Sequence, residues 1–146
     1  AIKEISNNLS PHMLTNFGLA SAISPFTTKL NQTKAIRIDF KTNMENQRLD
    51  NEKEVVIYRA ACELINNSIQ HSGASRIDIE LYKIEKFVTL QFSDNGRGFD
   101  TSALEKEDSK GMGISNIETR VRSIEGLFVL ESTPGKGTSA LIKVIE

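Results

Sequence analysis

The sequence has little cysteine, no long apolar run and almost no net charge. Cys62 is the only cysteine among 146 residues, so the chain can form neither an internal disulfide nor a zinc site built from cysteines. The formal charge of -1 lacks the basic excess of proteins that bind nucleic acid over a broad surface. We therefore expect no nucleic-acid partner, and any phosphate chemistry has to be local.

Apolar residues never form a run approaching the roughly 20 that span a bilayer. The start, Ala1-Ile2-Lys3-Glu4, is neither a signal peptide nor a natural initiator, so we expect the chain to be a piece of a longer protein. A single cysteine suits a reducing compartment, and cytoplasm is the simplest placement. Whether the longer parent is anchored in a membrane stays open.

The length and composition of the sequence, with 38% hydrophobic and 25% charged residues, are those of one globular domain. Apolar periodicity predicts helices over 2–9, 19–30, 52–71 and 114–126. Alternation predicts strands over 36–41, 77–82 and 87–94. A turn over 133–137 separates two further predicted strands over 127–132 and 138–145, and the charged segment 100–110 is predicted to be a loop. These elements indicate an α+β two-layer sandwich, with three or four helices on one face of a mixed, mostly antiparallel sheet.

The most informative segment is Asp94-Asn95-Gly96-Arg97-Gly98-Phe99. Period-two alternation places Asp94 on the same strand face as the core residues Leu90 and Phe92. A carboxylate on that face is costly to desolvate unless hydrogen-bond donors reach it, and the exocyclic amine of a purine is such a donor. The segment therefore predicts a nucleotide site, and the alternative is a hairpin turn at Asn95-Gly96.

Three polar residues, Glu63, Asn67 and His71, recur at i, i+4 and i+8 on the longest predicted helix. They form one column beside the apolar stripe, so we expect them to be half buried. An asparagine oxygen can ligate a hard cation, a glutamate can orient or deprotonate a nucleophile, and an imidazole can reach a phosphate. The alternative is a solvated helix flank.

Two glycine-containing segments complete the set of candidates. Lys110-Gly111-Met112-Gly113 precedes a helix, where backbone amides can meet an anion and Lys110 adds a charge. Its alternative is a loop that needs unusual backbone angles, and its spacing fits neither a Walker loop nor a dinucleotide fingerprint. In Gly135-Lys136-Gly137-Thr138, a turn on its simplest interpretation, only Thr138 can contact a base through its hydroxyl.

In their order and spacing, the candidate segments resemble the Asn box and glycine boxes of the GHKL ATPase superfamily. The segment that resembles the Asn box is Glu63-Leu64-Ile65-Asn66-Asn67-Ser68-Ile69-Gln70-His71. Within this superfamily the chain resembles the catalytic domain of a two-component sensor histidine kinase of the NarX/DesK-like branch. The resemblance implies the Bergerat ATP-binding fold, with ATP and Mg2+ as cofactors.

The resemblance also implies a role for each candidate. Asp94 would accept the adenine amino group, while Gly96 and Gly98 would let the base approach. Asn67 would ligate the magnesium, and Glu63 would polarise the attacking nucleophile or position a magnesium-bound water. Four further candidates would lie at the phosphates: His71, Lys110, Gly111 and Gly113. Thr138 would join the hydrogen-bond network of the adenine.

The resemblance further implies that residues 1–15 are the end of a dimerisation-hairpin helix with its junction, and residues 16–146 the ATP-binding domain. His12 falls in the junction and not in the acceptor motif, so the chain would bind ATP but need a supplied hairpin for autophosphorylation. The parent, a homodimer, would pass phosphate to a response regulator receiver domain. The rival functions are an ATPase clamp and a nucleotide-binding regulatory module without kinase activity.

Overall fold

The structure, a computed structural model, describes residues 11–33, 36–98 and 114–146. The helices are α1 (Pro11–Phe17), α2 (Leu19–Thr33), α3 (Asn51–Asn67) and α4 (Ile114–Ser123), and a π-helical turn, Ser68–Ser72, continues α3. The strands are β1 (Arg37–Thr42), β2 (Arg76–Ile84), β3 (Phe87–Asp94), β4 (Leu127–Ser132) and β5 (Thr138–Ile145). No helix in this part of the chain is long and apolar enough to cross a membrane.

The strands form one five-stranded sheet in the order β1-β2-β3-β5-β4. Strands β1 and β2 are parallel, and the other neighbours are antiparallel. A parallel pair needs a crossover connection, and α3 supplies it between β1 and β2. The predicted fold class, a mixed and mostly antiparallel sheet with helices on one face, is confirmed.

The core lies between the sheet and the helices. Alternate residues of the central strands are nearly inaccessible to solvent, as the period-two pattern predicts: Ile77, Ile79, Leu81, Val88, Leu90, Phe92, Ala140, Ile142 and Val144. The side of α3 that faces them is apolar and buried: Ile57, Ala61, Leu64 and Ile65. Because β3 keeps this phase to its last residue, Asp94 emerges at the sheet end on the helix side.

The free edge of the sheet at β1 is covered by an asparagine side chain of α2. The Asn31 amide donates to the carbonyl of Ile38 at 2.9 Å and accepts from its N–H at 2.6 Å. It thereby occupies backbone groups that would otherwise be open to pairing with another strand. Helix α2 continues to Thr33 through Pro25, three residues beyond its predicted end.

The N-terminal helix α1 is a feature that the sequence pattern did not indicate. The structure begins a helix at Pro11, where proline suits the first helical turn. The predicted helix over 2–9 and the predicted loop over 100–110 lie outside the described residues. Gly73 adopts a left-handed conformation, φ 66°, and ends the π-helical turn.

Candidate functional site

A cavity of about 280 Å³ opens between α3, the start of α4 and the ends of β3 and β5. Three apolar side chains form part of its wall: Leu64, Phe92 and Ile114. Polar side chains converge on it from three separate segments: Asn67, His71, Asp94, Arg97 and Thr138. An apolar wall with a few convergent polar groups is the usual composition of a small-molecule site.

Asp94 is held at the mouth of this cavity by backbone donors. Its Oδ1 accepts from the N–H of Gly96 at 2.9 Å and from the N–H of Thr138 at 3.2 Å. Asp94 and Thr138 are register partners at the end of the β3–β5 ladder, so sheet pairing itself sets this contact. Among the described residues, Oδ2 makes no hydrogen bond, which leaves a fixed acceptor for a ligand.

Thr138 is buried beside Asp94 and is oriented by a serine of the edge strand. Its hydroxyl lies 2.8 Å from the Ser132 hydroxyl, and Ser132 also donates to the carbonyl of Gly137 at 3.2 Å. The backbone of Thr138 thus orients Asp94, while its side chain lines the cavity. A hydroxyl in this position can donate to a ligand or accept from it.

The glycines near Asp94 serve the packing of the protein against itself. At Gly98, where φ is +65°, an added Cβ would lie 2.2 Å from the Thr133 carbonyl oxygen. At Gly96 an added Cβ would lie 2.4 Å from Cβ of Ser72. Gly98 lines the cavity, whereas Gly96 is not among its lining residues. Gly96 lets the loop approach the π-helical turn, and its role in the approach of a base stays a prediction.

The π-helical turn after Asn67 shapes the opposite wall. Within it the Ser72 hydroxyl donates to the Ser68 carbonyl at 2.6 Å, and the N–H of Arg97 donates to the Ser72 carbonyl at 2.8 Å. A π-helical turn carries more residues per turn than an α-helix and often marks a functional site. The turn departs from the 3.6-residue period on which the predicted column depends, yet His71 still lines the cavity together with Asn67.

The predicted column is accordingly divided between two openings. Asn67, which is buried, and His71, which is exposed, line the cavity. Glu63 is half-buried in a neighbouring cleft of about 120 Å³ between α3 and α4, together with Arg59 and Arg120. Lys110, Gly111 and Gly113 lie outside the described residues. Arg97 and Ser68 line the cavity although the sequence interpretation gave them no role; Ser68 could have been found as a polar residue within the buried helical stripe.

The only cysteine contributes no nucleophile. Cys62 lines the α3–α4 cleft, and burial raises the pKa of its thiol to about 12, so it stays protonated at neutral pH. Within the described parts of the chain, no three His, Cys, Asp or Glu side chains are grouped to hold a metal ion. A cation here would depend on few protein ligands.

A family model described as "Histidine kinase-, DNA gyrase B-, and HSP90-like ATPase" matches residues 52–145, which include Glu63, Asn67, Asp94 and Thr138. The chain belongs to this family. The predicted superfamily is thus confirmed, and the chain is an ATP-binding domain of the histidine kinase type.

Curated relatives carry this kind of domain within much longer chains. The sensor histidine kinase ComP of Bacillus subtilis is 31% identical over 142 residues, 97% of this chain and 18% of ComP. The kinase/phosphatase DegS of the same organism is 31% identical over 137 residues, 92% of this chain and 36% of DegS. The chain thus spans a minor part of either relative.

Solved structures share the fold. The blue-light activated histidine kinase of Erythrobacter litoralis superposes with a TM-score of 0.67 at 16% identity, over 87% of this chain and 41% of that one. The nucleotide-free catalytic domain of the histidine kinase ThkA gives 0.65 at 18% identity, over 91% and 92%. At identities of 16% and 18%, these structures support the fold of the chain. The roles of individual site residues are argued from the local geometry of the cavity.

Proposed function

We propose that this chain is the catalytic part of a sensor histidine kinase and donates the γ-phosphate of ATP to a histidine on an upstream hairpin. The observation that carries the proposal is the geometry of Asp94. Its Oδ1 is fixed by two backbone N–H groups, and Oδ2 is left to accept a hydrogen bond from the cavity. A fixed carboxylate selects a base with an exocyclic amine, as adenine has, over one with a carbonyl there.

The apolar wall complements this recognition. Leu64, Phe92 and Ile114 offer surface against which a purine ring packs, since burial of apolar area is favourable. The Thr138 hydroxyl lies beside Asp94 and adds a second polar contact to the base, directly or through water. The base is thus positioned by the ends of two paired strands, which are rigid because the sheet fixes both.

We place the phosphates toward Asn67 and His71, along the same wall. Mg2+ bound with nucleotides takes one or two protein ligands and completes its shell with phosphates and water. A single buried amide oxygen, that of Asn67, fits this requirement. When bound, the ion would neutralise phosphate charge. His71 would contact the phosphates, with Lys110, Gly111 and Gly113 assigned to them by the sequence motif.

Transfer would form a bond between an imidazole nitrogen and the γ-phosphorus and break the bond to the oxygen bridging the β- and γ-phosphates. Glu63 lies one helical turn before Asn67, in a cleft beside the cavity. There it can orient the incoming imidazole or accept its proton. We place the domain in the cytoplasm of a homodimeric parent, with residues 1–15 as hairpin end and junction and residues 16–146 as the ATP-binding domain. A response regulator would be the final acceptor.

The first test is calorimetric titration of this chain with a non-hydrolysable ATP analogue, with and without Mg2+. Magnesium-dependent binding is expected, because Asn67 contributes through the ion. A chain extended by an acceptor hairpin should then form phosphohistidine from ATP. Release of inorganic phosphate without phosphohistidine would instead indicate an ATPase clamp, and ATP binding without either product would indicate a regulatory module.

A further inference from the structure

An ion pair whose carboxylate is buried lies at the end of α3 remote from the cavity, and the side chain of its arginine is 42% exposed. Glu54, in the first turn of α3, is completely buried. Arg48 donates from Nε to its Oε2 at 3.0 Å and from Nη2 to its Oε1 at 2.9 Å, and the N–H of Leu49 also donates to Oε2 at 3.0 Å. Both carboxylate oxygens are therefore satisfied within the protein.

Arg48 also reaches the C-terminal end of α1. Its Nη2 lies 3.2 Å from the Leu14 carbonyl oxygen and 3.1 Å from that of Thr15. The last carbonyls of a helix carry partial negative charge, and that of Leu14 also accepts from the N–H of Gly18 at 3.0 Å. The guanidinium thus joins two negatively polarised groups from different elements, the Glu54 carboxylate and the end of α1.

The backbone beside this contact is adapted to the arginine. Gly18 follows α1 with φ +93°, and an added Cβ would lie 2.8 Å from Cδ of Arg48. Any other residue at position 18 would strain the backbone and push the arginine away. The absence of a side chain at Gly18, in the junction between α1 and α2, therefore leaves the space that the Arg48 side chain occupies.

Stability alone does not explain a charged pair at this position. Burying a carboxylate carries a desolvation penalty, and apolar replacement of both partners in such pairs is often neutral or stabilising. The pair also contributes nothing directly to ATP contact. Glu54 and Asn67 are 13 positions apart on one helix, which separates them by about 20 Å.

We propose that Arg48 and Glu54 are positioning residues that fasten α1 to the first turn of α3. The pair, which we call the latch, makes the orientation of α1 a determinant of the orientation of α3. Because α3 is a continuous helix of 17 residues, the far end that holds Glu63 and Asn67 moves with the latched end. The consequence for phosphotransfer depends on the proposed function; the latch itself does not.

The test removes both charges together, so that no uncompensated charge stays buried. The variant is Arg48→Met/Glu54→Met, and the control is Arg37→Met/Asp39→Met, an ion pair on β1 with a 70% exposed arginine. Spin labels at the exposed positions Asn16 and Gln70 report the distance between α1 and the end of the π-helical turn. The buried Cys62 thiol stays unlabelled, which mass spectrometry verifies.

The latch variant should broaden the Asn16–Gln70 distance distribution about twofold. Affinity for the ATP analogue should stay within about twofold, because the latch relates α3 to α1, whereas α3, the start of α4 and the strand ends that line the cavity keep their mutual arrangement. The control should leave the width unchanged. Arg48→Lys, which keeps a charge but lacks the planar fork, should give an intermediate width. An unchanged width in the latch variant would overturn the proposal.

Kinetics add a measurement that a purely structural role would not produce. In a chain extended by an acceptor hairpin, the latch variant should lower kcat for phosphohistidine formation about tenfold and leave KM for ATP unchanged, since misplacement affects transfer and not binding. If KM rises and kcat stays constant, the latch does not position the catalytic helix. If even the unmodified extended chain forms no phosphohistidine, the proposed function fails, and the distance measurement still decides the latch.

Gly18→Ala keeps the test decisive if the double variant does not fold. It retains both charges, but its Cβ crowds Arg48 and strains the backbone of the α1–α2 junction at φ +93°. The distance distribution should broaden as in the latch variant. A distribution as narrow as that of the unmodified chain would contradict the proposal.

Discussion

Two carboxylates in this domain, Asp94 and Glu54, show how differently a buried acid can be used. Glu54 is completely buried, and both of its oxygens are occupied by Arg48 and the Leu49 N–H. Asp94 is half-buried, and its two hydrogen bonds from the described residues reach the same oxygen, Oδ1. Both oxygens of Glu54 therefore have hydrogen-bond donors within the protein, whereas Oδ2 of Asp94 is left to accept a hydrogen bond from a ligand.

The difference separates a fastening role from a recognition role. An acid with complete internal pairing stabilises one arrangement of its neighbours and has nothing to offer a ligand. An acid with one oxygen fixed by rigid backbone is oriented without being consumed, so a ligand can bind it with little reorganisation. The hydrogen-bond partners of each carboxylate oxygen therefore indicate the role of an acid better than its burial does.

The largest effect is expected from breaking the fully paired acid. Glu54→Gln should lower the free energy of unfolding by about 3 kcal/mol, because it removes charge-assisted hydrogen bonds to a completely buried carboxylate and turns an amide N–H₂ toward N–H donors. Affinity for the ATP analogue at 25 °C should stay near its original value. Urea denaturation measures the first quantity and calorimetry the second. Glu52→Gln, an exposed acid in the same helical turn, is the matched control and should change stability little.

The complementary result is expected for Asp94→Asn. The amide oxygen can still accept from Gly96 and Thr138, so the melting temperature should stay near that of the unmodified protein. Its N–H₂ would then face the adenine amino group, and affinity for the ATP analogue should fall about 100-fold, or about 2.7 kcal/mol. Asp78→Asn, on the opposite face of the sheet, should bind normally. Retained binding in Asp94→Asn would remove Asp94 from the base site.

A pair of glycines distinguishes close approach from backbone conformation around Asp94. Gly98→Ala should destabilise the domain by about 2 kcal/mol or more and weaken nucleotide binding, because its Cβ would collide with the Thr133 carbonyl. Gly135→Ala has a similar φ, +83°, with nothing within 4 Å of the added Cβ. It should cost about 1 kcal/mol and leave binding intact. Equal effects in thermal melts and titrations would mean that the contact is unimportant.

A smaller effect is expected at the hydroxyl beside Asp94. Thr138→Val keeps the shape and the backbone N–H that orients Asp94 but loses the contact with Ser132. Stability should fall by about 1 kcal/mol, and affinity for the ATP analogue by several-fold at most. Thr138→Ser should restore the affinity. A loss as large as that of Asp94→Asn would show that the hydroxyl, and not the carboxylate, dominates base recognition.

The smallest effect concerns Cys62 and appears only in alkali. Burial raises the pKa of its thiol from an ordinary value of 9.0 to about 12, so the folded state favours the protonated form. This stabilising contribution is complete below pH 9 and is lost as the pH rises toward 12. Between pH 9 and 10 the unfolding free energy should fall about 1 kcal/mol more for the natural chain than for Cys62→Ala. Parallel pH curves would contradict the burial.

Local periodicity predicted much of the fold and part of the site. The strands over 127–132 and 138–145 were predicted with the bounds that the structure shows, because a turn rich in proline and glycine separates them. The position of Asp94 on the core face followed from the same alternation. The π-helical turn could not be predicted, since a 3.6-residue period assumes the regular helix that Ser68–Ser72 departs from.

The sequence by itself determined the elements, the core-facing phase of Asp94 and the motifs that place the chain in its family. These features depend on the spacing of residues that are close in sequence, and that spacing does not depend on how the chain folds. The tertiary structure alone decided which oxygen of Asp94 is occupied, that Gly96 meets Ser72, and that Arg48 joins Glu54 to the end of α1. Those facts depend on contacts between segments distant in sequence, or on the path of a loop, and only the packed fold fixes their distances.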